Sequence, residues 1–252
     1  MRKNLTLAVA LMVCALTTGS LFGAEVDATW IGGTGNWGEA ADWDIGVVPS
    51  NGTDTYSVFI DGGDAASASV VTLDLSATID TLSVDLDDRL AIAESRSLAL
   101  VGNSIANAGA IEIANTGRLW LGNTSFTFSG GGSIALMGPD ARMSVTVAGA
   151  RLTNEDHVIQ GCGFVGEGNP MALTNRGTID ASAWDGNVLV VEILGEDNVN
   201  TGTLRASGGG VLELHATLLN LGGTIEALDG SRVELRNSDI QYGTFTTAGT
   251  GA

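Results

Sequence analysis

The chain has 252 residues with 29 acidic against 11 basic side chains, a formal charge of −18, and aromatic residues make up only 5% of it. A surface of that sign repels nucleic acid and anionic lipid, so neither is expected as a partner. With 36 glycines, 3 prolines and abundant Val, Ile, Leu and Thr, the composition describes many short strands separated by turns and leaves little room for helices.

Arg2 and Lys3 precede an apolar run over residues 5–16 that is too short to span a bilayer, the pattern of an export signal. A signal peptide is therefore expected over residues 1–24, with cleavage after the small pair Gly23 and Ala24 and a mature chain beginning near Glu25. The alternative is a lipoprotein acylated at Cys14; it is weakened by Val13, which is larger than the residue usual before such a cysteine. Export leaves Cys162 as the only cysteine, so no intrachain disulfide forms and stability must come from packing. The acidic surface reads as solubilising and mutually repelling outside the cell, with divalent-cation binding as the alternative.

Residues 25–64 are expected to form an N-terminal cap. Trp30, Trp37 and Trp43 bring three of the five tryptophans into this one short segment. Their rings are expected to cover the open end of the first coil; the rival reading is an exposed platform on which sugar rings stack, that is, a glycan-binding module.

Residues 65–252 are repetitive. Ile111-Glu112-Ile113, Ile179-Asp180-Ala181, Leu204-Arg205-Ala206 and Ile225-Glu226-Ala227 each place two apolar residues to one side and a charge to the other, a strand with one wet face. Each is preceded by an Asn and Gly approach: Asn107 with Gly109, Asn175 with Gly177, Asn200 with Gly202, and Asn220 with Gly222 after one inserted residue. Both residue types tolerate left-handed backbone at a corner. A second strand comes next in Arg118-Leu119-Trp120-Leu121, Val211-Leu212-Glu213-Leu214 and Val233-Glu234-Leu235. Gly109, Gly132, Gly177, Gly202 and Gly222 are evenly spaced except for a double interval between Gly132 and Gly177, inside which Leu152-Thr153-Asn154 returns as Leu173-Thr174-Asn175. A period of about 20–25 residues built only from strands and turns means a solenoid: an all-β, right-handed parallel β-helix, each coil stacked on the last over a column of aliphatic side chains. Leucine-rich repeats share the period but need a leucine and asparagine consensus that is missing, and a barrel or sandwich would not return one corner at a constant interval.

Trp30-Ile31-Gly32-Gly33-Thr34-Gly35-Asn36-Trp37, then Ala41-Asp42-Trp43 and Gly46-Val47-Val48-Pro49, resembles the start of large secreted β-helix proteins of Gram-negative bacteria, the autotransporter passenger and haemagglutinin-like surface proteins. Residues 157–166 leading into 173–181 are similar to their repeat body. The resemblance implies an exported cell-surface or secreted protein with a structural or adhesive role, and surface glycans or other envelope components as partners. It specifies a fold well and a ligand hardly at all. It also implies a membrane barrel or a sorting segment at the C-terminus; residues 249–252 carry neither, so truncation of a longer protein is expected.

The remaining candidates are weak. Asp85, Asp87 and Asp88 suggest the acids of a polysaccharide lyase or hydrolase, but no lysine follows the signal to serve as base, and short units leave no loops to wall a groove. His157 and His215 stand far apart in the chain, without zinc-site spacing. No catalytic, metal or cofactor site is expected.

Overall fold

The computed structural model describes residues 23–60, 68–182 and 187–252; the expected signal peptide lies outside the described residues except at its last two positions. Among these described residues, apart from one short 3-10 turn at Ala40–Asp42, all regular structure is β, and the strands pair in parallel, with an isolated antiparallel bridge between Trp30 and Trp43. No helix among the described residues is long and apolar enough to cross a membrane.

The strands form a solenoid of about 8 turns. Each turn contributes a strand to three parallel sheets. One face runs through Val70–Leu73, Arg89–Ile92, Ala110–Ala114, Thr178–Ser182, Thr203–Ser207 and Thr224–Ala227 to Thr244–Thr247. A second begins with Ala77–Ile79, Ser97–Leu100 and Arg118–Leu121 and ends at Arg232–Leu235. The third begins with Glu25–Thr29 and Thr55–Ile60 and ends at Asp239–Gln241. The longest strands, Ser133–Val145 and Val188–Asn200, bend from one face into the next, with register shifts at the bends.

On the first face, Val70, Arg89, Ala110, Ser133, Val158, Thr178, Thr203, Thr224 and Thr244 stack in register, one from each successive coil. The double interval between Gly132 and Gly177 is thus two coils, the second entering at Val158, where His157 replaces the corner glycine. Leu152-Thr153-Asn154 pairs with Leu173-Thr174-Asn175 residue for residue.

Alternation along each strand sends Ile111, Ile134, Ile159, Ile179, Leu204 and Ile225 inward, where they are at most 1% exposed. Burial of each such side chain contributes roughly 1.5–3 kcal/mol, and a one-residue slip would forfeit all of them together. At the N-terminal end Trp30, Trp37 and Trp43 join this core and form the cap.

The corners differ from expectation in two ways. Gly223, not Gly222, shares the corner of Gly177 and Gly202, since Thr224 stacks on Thr203; Gly222 is the inserted residue and takes the left-handed turn at φ 87°. Gly109, Gly177 and Gly202 are not left-handed: a β-carbon on any of them would overlap a backbone carbonyl of the coil beneath, so glycine is required by close approach. The corner asparagines likewise lack left-handed backbone. Their amides point inward and form a ladder, Asn154 Nδ2 to Asn175 Oδ1 at 2.9 Å, Asn175 to Asn200 at 2.7 Å, and Asn200 to Asn220 at 2.7 Å. Each of the four is fully buried.

At the other end, Thr244–Thr247 is paired only with Thr224–Ala227 among the described strands, and all four of its residues are exposed.

Candidate functional site

Parallel stacking places equivalent side chains of successive coils side by side, about 4.8 Å apart, so the outer faces are ladders. Asp180, Arg205 and Glu226 stack as one such ladder. Arg205 Nε donates to Asp180 Oδ2 at 2.8 Å, and the Asp180 side chain is only 4% exposed. The wet face expected here is therefore covered at its first position, where Arg205 is bonded to the carboxylate.

The three tryptophans present no sugar platform. Trp30 and Trp43 meet edge to face at 5.1 Å, Trp37 and Trp43 at 4.8 Å, and none is more than 1% exposed. Their indole N–H groups donate to the carbonyls of Gly33, Pro49 and Trp37 at 2.9, 3.1 and 2.9 Å. The residues between Trp30 and Pro49 fold these rings against the first coil, which leaves no ring face for a ligand.

The acidic turn is divided. Asp88 is buried and its Oδ1 accepts the Ser69 N–H at 2.7 Å, while Asp85 and Asp87 are exposed and Asp87 holds the left-handed position of the turn at φ 71°. One of the three carboxylates is thus a structural acceptor. The histidines are not brought together. His157 is fully buried beside Phe128, with Nδ1 3.1 Å from Asp156 Oδ1 and Nε2 without a partner. Burial pushes its pKa down, against the pull of Asp156. His215 belongs to a charge ladder on the second face, with Nε2 2.6 Å from Glu213 Oε1. There Glu213 and Glu234 lie side by side, and Arg236 bridges them at 3.0 and 2.7 Å. Hydrogen bonds from Arg236 and then Arg232 hold Glu234 below the usual carboxylate range. Cys162 is fully buried, and burial raises its thiol pKa. Among the described residues no three His, Cys, Asp or Glu side chains converge to hold a metal.

One feature escaped the sequence. Ser95, Arg96, Ser97, Thr116 and Arg118 line a depression of about 320 Å³ on the outside of two adjacent coils. It forms because Arg118 stacks on Ser97, with the Arg118 N–H donating to the Arg96 carbonyl at 2.9 Å, while the Ser95 N–H donates to Thr116 Oγ1 at 3.0 Å. The guanidinium of Arg118 lies 5.7 Å from the centre of the half-buried Trp120 ring. Arg118 and Trp120 were visible as alternate residues of one strand; only the coil length brings Arg96 and Ser95 beside them.

No family model, curated protein or solved structure matches the chain.

Proposed function

We propose that this is an exported structural and adhesive protein of the cell surface or surroundings, related in role to the β-helix surface proteins it resembles, and that it works without catalysis. The observation that carries this reading is the regular stack itself. About 8 turns at ~4.8 Å each give a rod of roughly 40 Å whose interior is filled with aliphatic side chains. Chemistry is thereby confined to the outside, and a stiff body with long lateral faces suits display and contact.

Support for export comes from the basic, apolar and small-residue order of residues 1–24 and from the acidic surface. The test is to express the full chain in a Gram-negative host, separate the compartments and sequence the N-terminus of the product. A chain outside the cytoplasm that starts near Glu25 is expected, and surfaces coated with it should retain cells or envelope glycans. Retention in the cytoplasm with the leader intact would overturn the export reading, and coated surfaces that retain nothing would overturn the adhesive one.

A further inference from the structure

Arg89, Arg142, Arg176, Arg205, Arg232 and Arg236 each pair with a carboxylate, and Arg151 donates to the Thr174 hydroxyl and to the carbonyls of Glu196 and Asp197. Arg96 and Arg118 differ: no ion pair or side-chain hydrogen bond engages either guanidinium among the described residues, although the chain carries 29 acidic side chains. Both line the same depression. Unneutralised arginines in so acidic a protein present a local positive spot with donor forks directed by neither carboxylate nor carbonyl.

The surroundings define what would fit. Three hydroxyls, those of Ser95, Ser97 and Thr116, share the depression with the two guanidinium groups. Ser95 and Thr116 occupy left-handed backbone at φ 59° and 65°, where glycine is the easier residue, so hydroxyl side chains stand there against conformational preference. Trp120 stands between Ala99 and Ser144 on the adjacent coils, small residues that leave its ring half-buried, with the Arg118 guanidinium 5.7 Å from its centre. Anion forks, hydroxyls and a partly open indole are the elements that recognise a charged sugar ring. The net charge of −18 repels long polyanions, which favours a short ligand held by direct contact.

We propose that Arg96, Arg118, Ser95, Ser97, Thr116 and Trp120 form a binding site for an acidic sugar, a pyranose carrying a carboxylate or a sulfate. The site rests on the adhesive reading above and gives it a ligand. The two arginines receive the anionic group, the hydroxyls bond the ring hydroxyls beside it, and Trp120 packs against the apolar face of the sugar.

The test is calorimetric titration of the exported chain, in about 0.1 M salt where distant carboxylates are screened, with trigalacturonate, a sulfated disaccharide, neutral maltotriose and sodium sulfate. At least one acidic sugar should bind, weakened about tenfold or more in the Arg96→Gln/Arg118→Gln double variant and unchanged in Arg89→Gln. Trp120→Ala should weaken the sugar and leave inorganic sulfate unaffected. Binding of the first sugar alone would identify a carboxylate ligand, and of the second alone a sulfate ligand. Failure of both acidic sugars, equal binding of maltotriose, sulfate bound as well as either sugar, or full binding by the double variant would each overturn the site. All variants lie on the outer face, and unchanged circular dichroism establishes that they fold. If coated wild-type protein retains cells and the double variant does so equally, the inference falls and the adhesive reading stands; if the sugar binds but no cells are retained, the reverse holds.

Discussion

Arg205 on one coil donates from Nε to Oδ2 of Asp180 on the preceding coil at 2.8 Å, and it does so over a carboxylate that is 4% exposed while its own side chain is 35% exposed. Glu226 is adjacent in register on the far side, so the arginine stands between two acids as its position in the repeat requires. A surface pair of this kind would contribute little, but burial of one partner changes the balance. Asp180 Oδ1 has no hydrogen-bond partner, so Arg205 is the main compensation for the buried charge. Arg205→Met should destabilise the protein by about 2 kcal/mol in urea unfolding, less than the roughly 3–5 typical of a fully buried pair because Arg205 is partly solvated. Asp180→Ala/Arg205→Met should recover most of that loss. A single variant as stable as the wild type would show that the pair is inert.

The amide ladder makes a graded prediction. Asn200 both accepts from Asn175 Nδ2 and donates to Asn220 Oδ1, in addition to the Gly202 carbonyl, whereas Asn220 ends the run with its Nδ2 unpartnered. Removing a middle rung strips Asn220 Oδ1 of its donor and leaves Asn175 Nδ2 with the Gly177 carbonyl and a longer contact to the Thr203 carbonyl, at roughly 1–3 kcal/mol for a group left unsatisfied. Asn200→Ala is therefore expected to cost about 2–3 kcal/mol and Asn220→Ala about 1, measured by thermal or urea unfolding. Equal effects would mean that the ladder does not act as a chain of bonds.

The coil length, the inward positions Ile179, Leu204 and Ile225, and the stacking of Asp180, Arg205 and Glu226 were legible in the sequence because period-2 alternation and a repeated corner both survive in one dimension. The burial of Asp180 was not, since the alternation assigns a face and says nothing about what lies over it. The reason for asparagine at the corners was also hidden: Asn154, Asn175, Asn200 and Asn220 recur once per coil, but only stacking turns that recurrence into a ladder of amide bonds. The Arg96 and Arg118 depression was least legible, because Ser95, Arg96 and Thr116 belong to no repeated motif and meet Arg118 only when two coils stack in register.

Acid should weaken the fold through His157 before it reaches the carboxylates. The groups facing the ring are Asp156, through Nδ1, and Phe128, while Asn154 bonds the His157 backbone. Burial depresses the folded pKa below the reference value of 6.5, so the unfolded chain takes up the proton first. Stability from His157 is present above 6.5 and is lost progressively as pH falls toward the folded value. Asp156 acts in a lower window: burial alone would raise its pKa, but the N–H groups of Gly131 and Gly130 outweigh it and hold the pKa below 3.8, so its contribution is lost only as pH falls through that depressed value. Unfolding free energy should thus begin to decline as pH falls below 6.5, ahead of the carboxylate window, and His157→Leu should flatten that slope while leaving the loss at the acidic end in place. A wild-type profile flat over the upper window would remove His157 from the account.

Gly202 and Gly222 separate two reasons for a corner glycine. Gly202 has ordinary backbone, and a β-carbon there would overlap the Gly177 carbonyl oxygen of the preceding coil. Gly222 is left-handed at φ 87°, but nothing lies within 4 Å of where its β-carbon would be. Asparagine tolerates left-handed backbone and cannot avoid a steric clash, so it discriminates between the two. Gly222→Asn should change stability by no more than about 0.5 kcal/mol, because the turn accepts it and the side chain enters solvent. Gly202→Asn forces the coils apart where Thr203 donates its N–H to the Gly177 carbonyl at 2.9 Å, and a cost of about 1–3 kcal/mol or more is expected from overpacking with loss of that bond. Gly202→Ala should already show most of this penalty, since the first added carbon makes the clash. Urea unfolding of the three variants, with amide exchange at Thr203 as the local readout, decides the matter. If Gly202→Ala proves as harmless as Gly222→Asn, the close approach of coils is not what the repeated glycine serves.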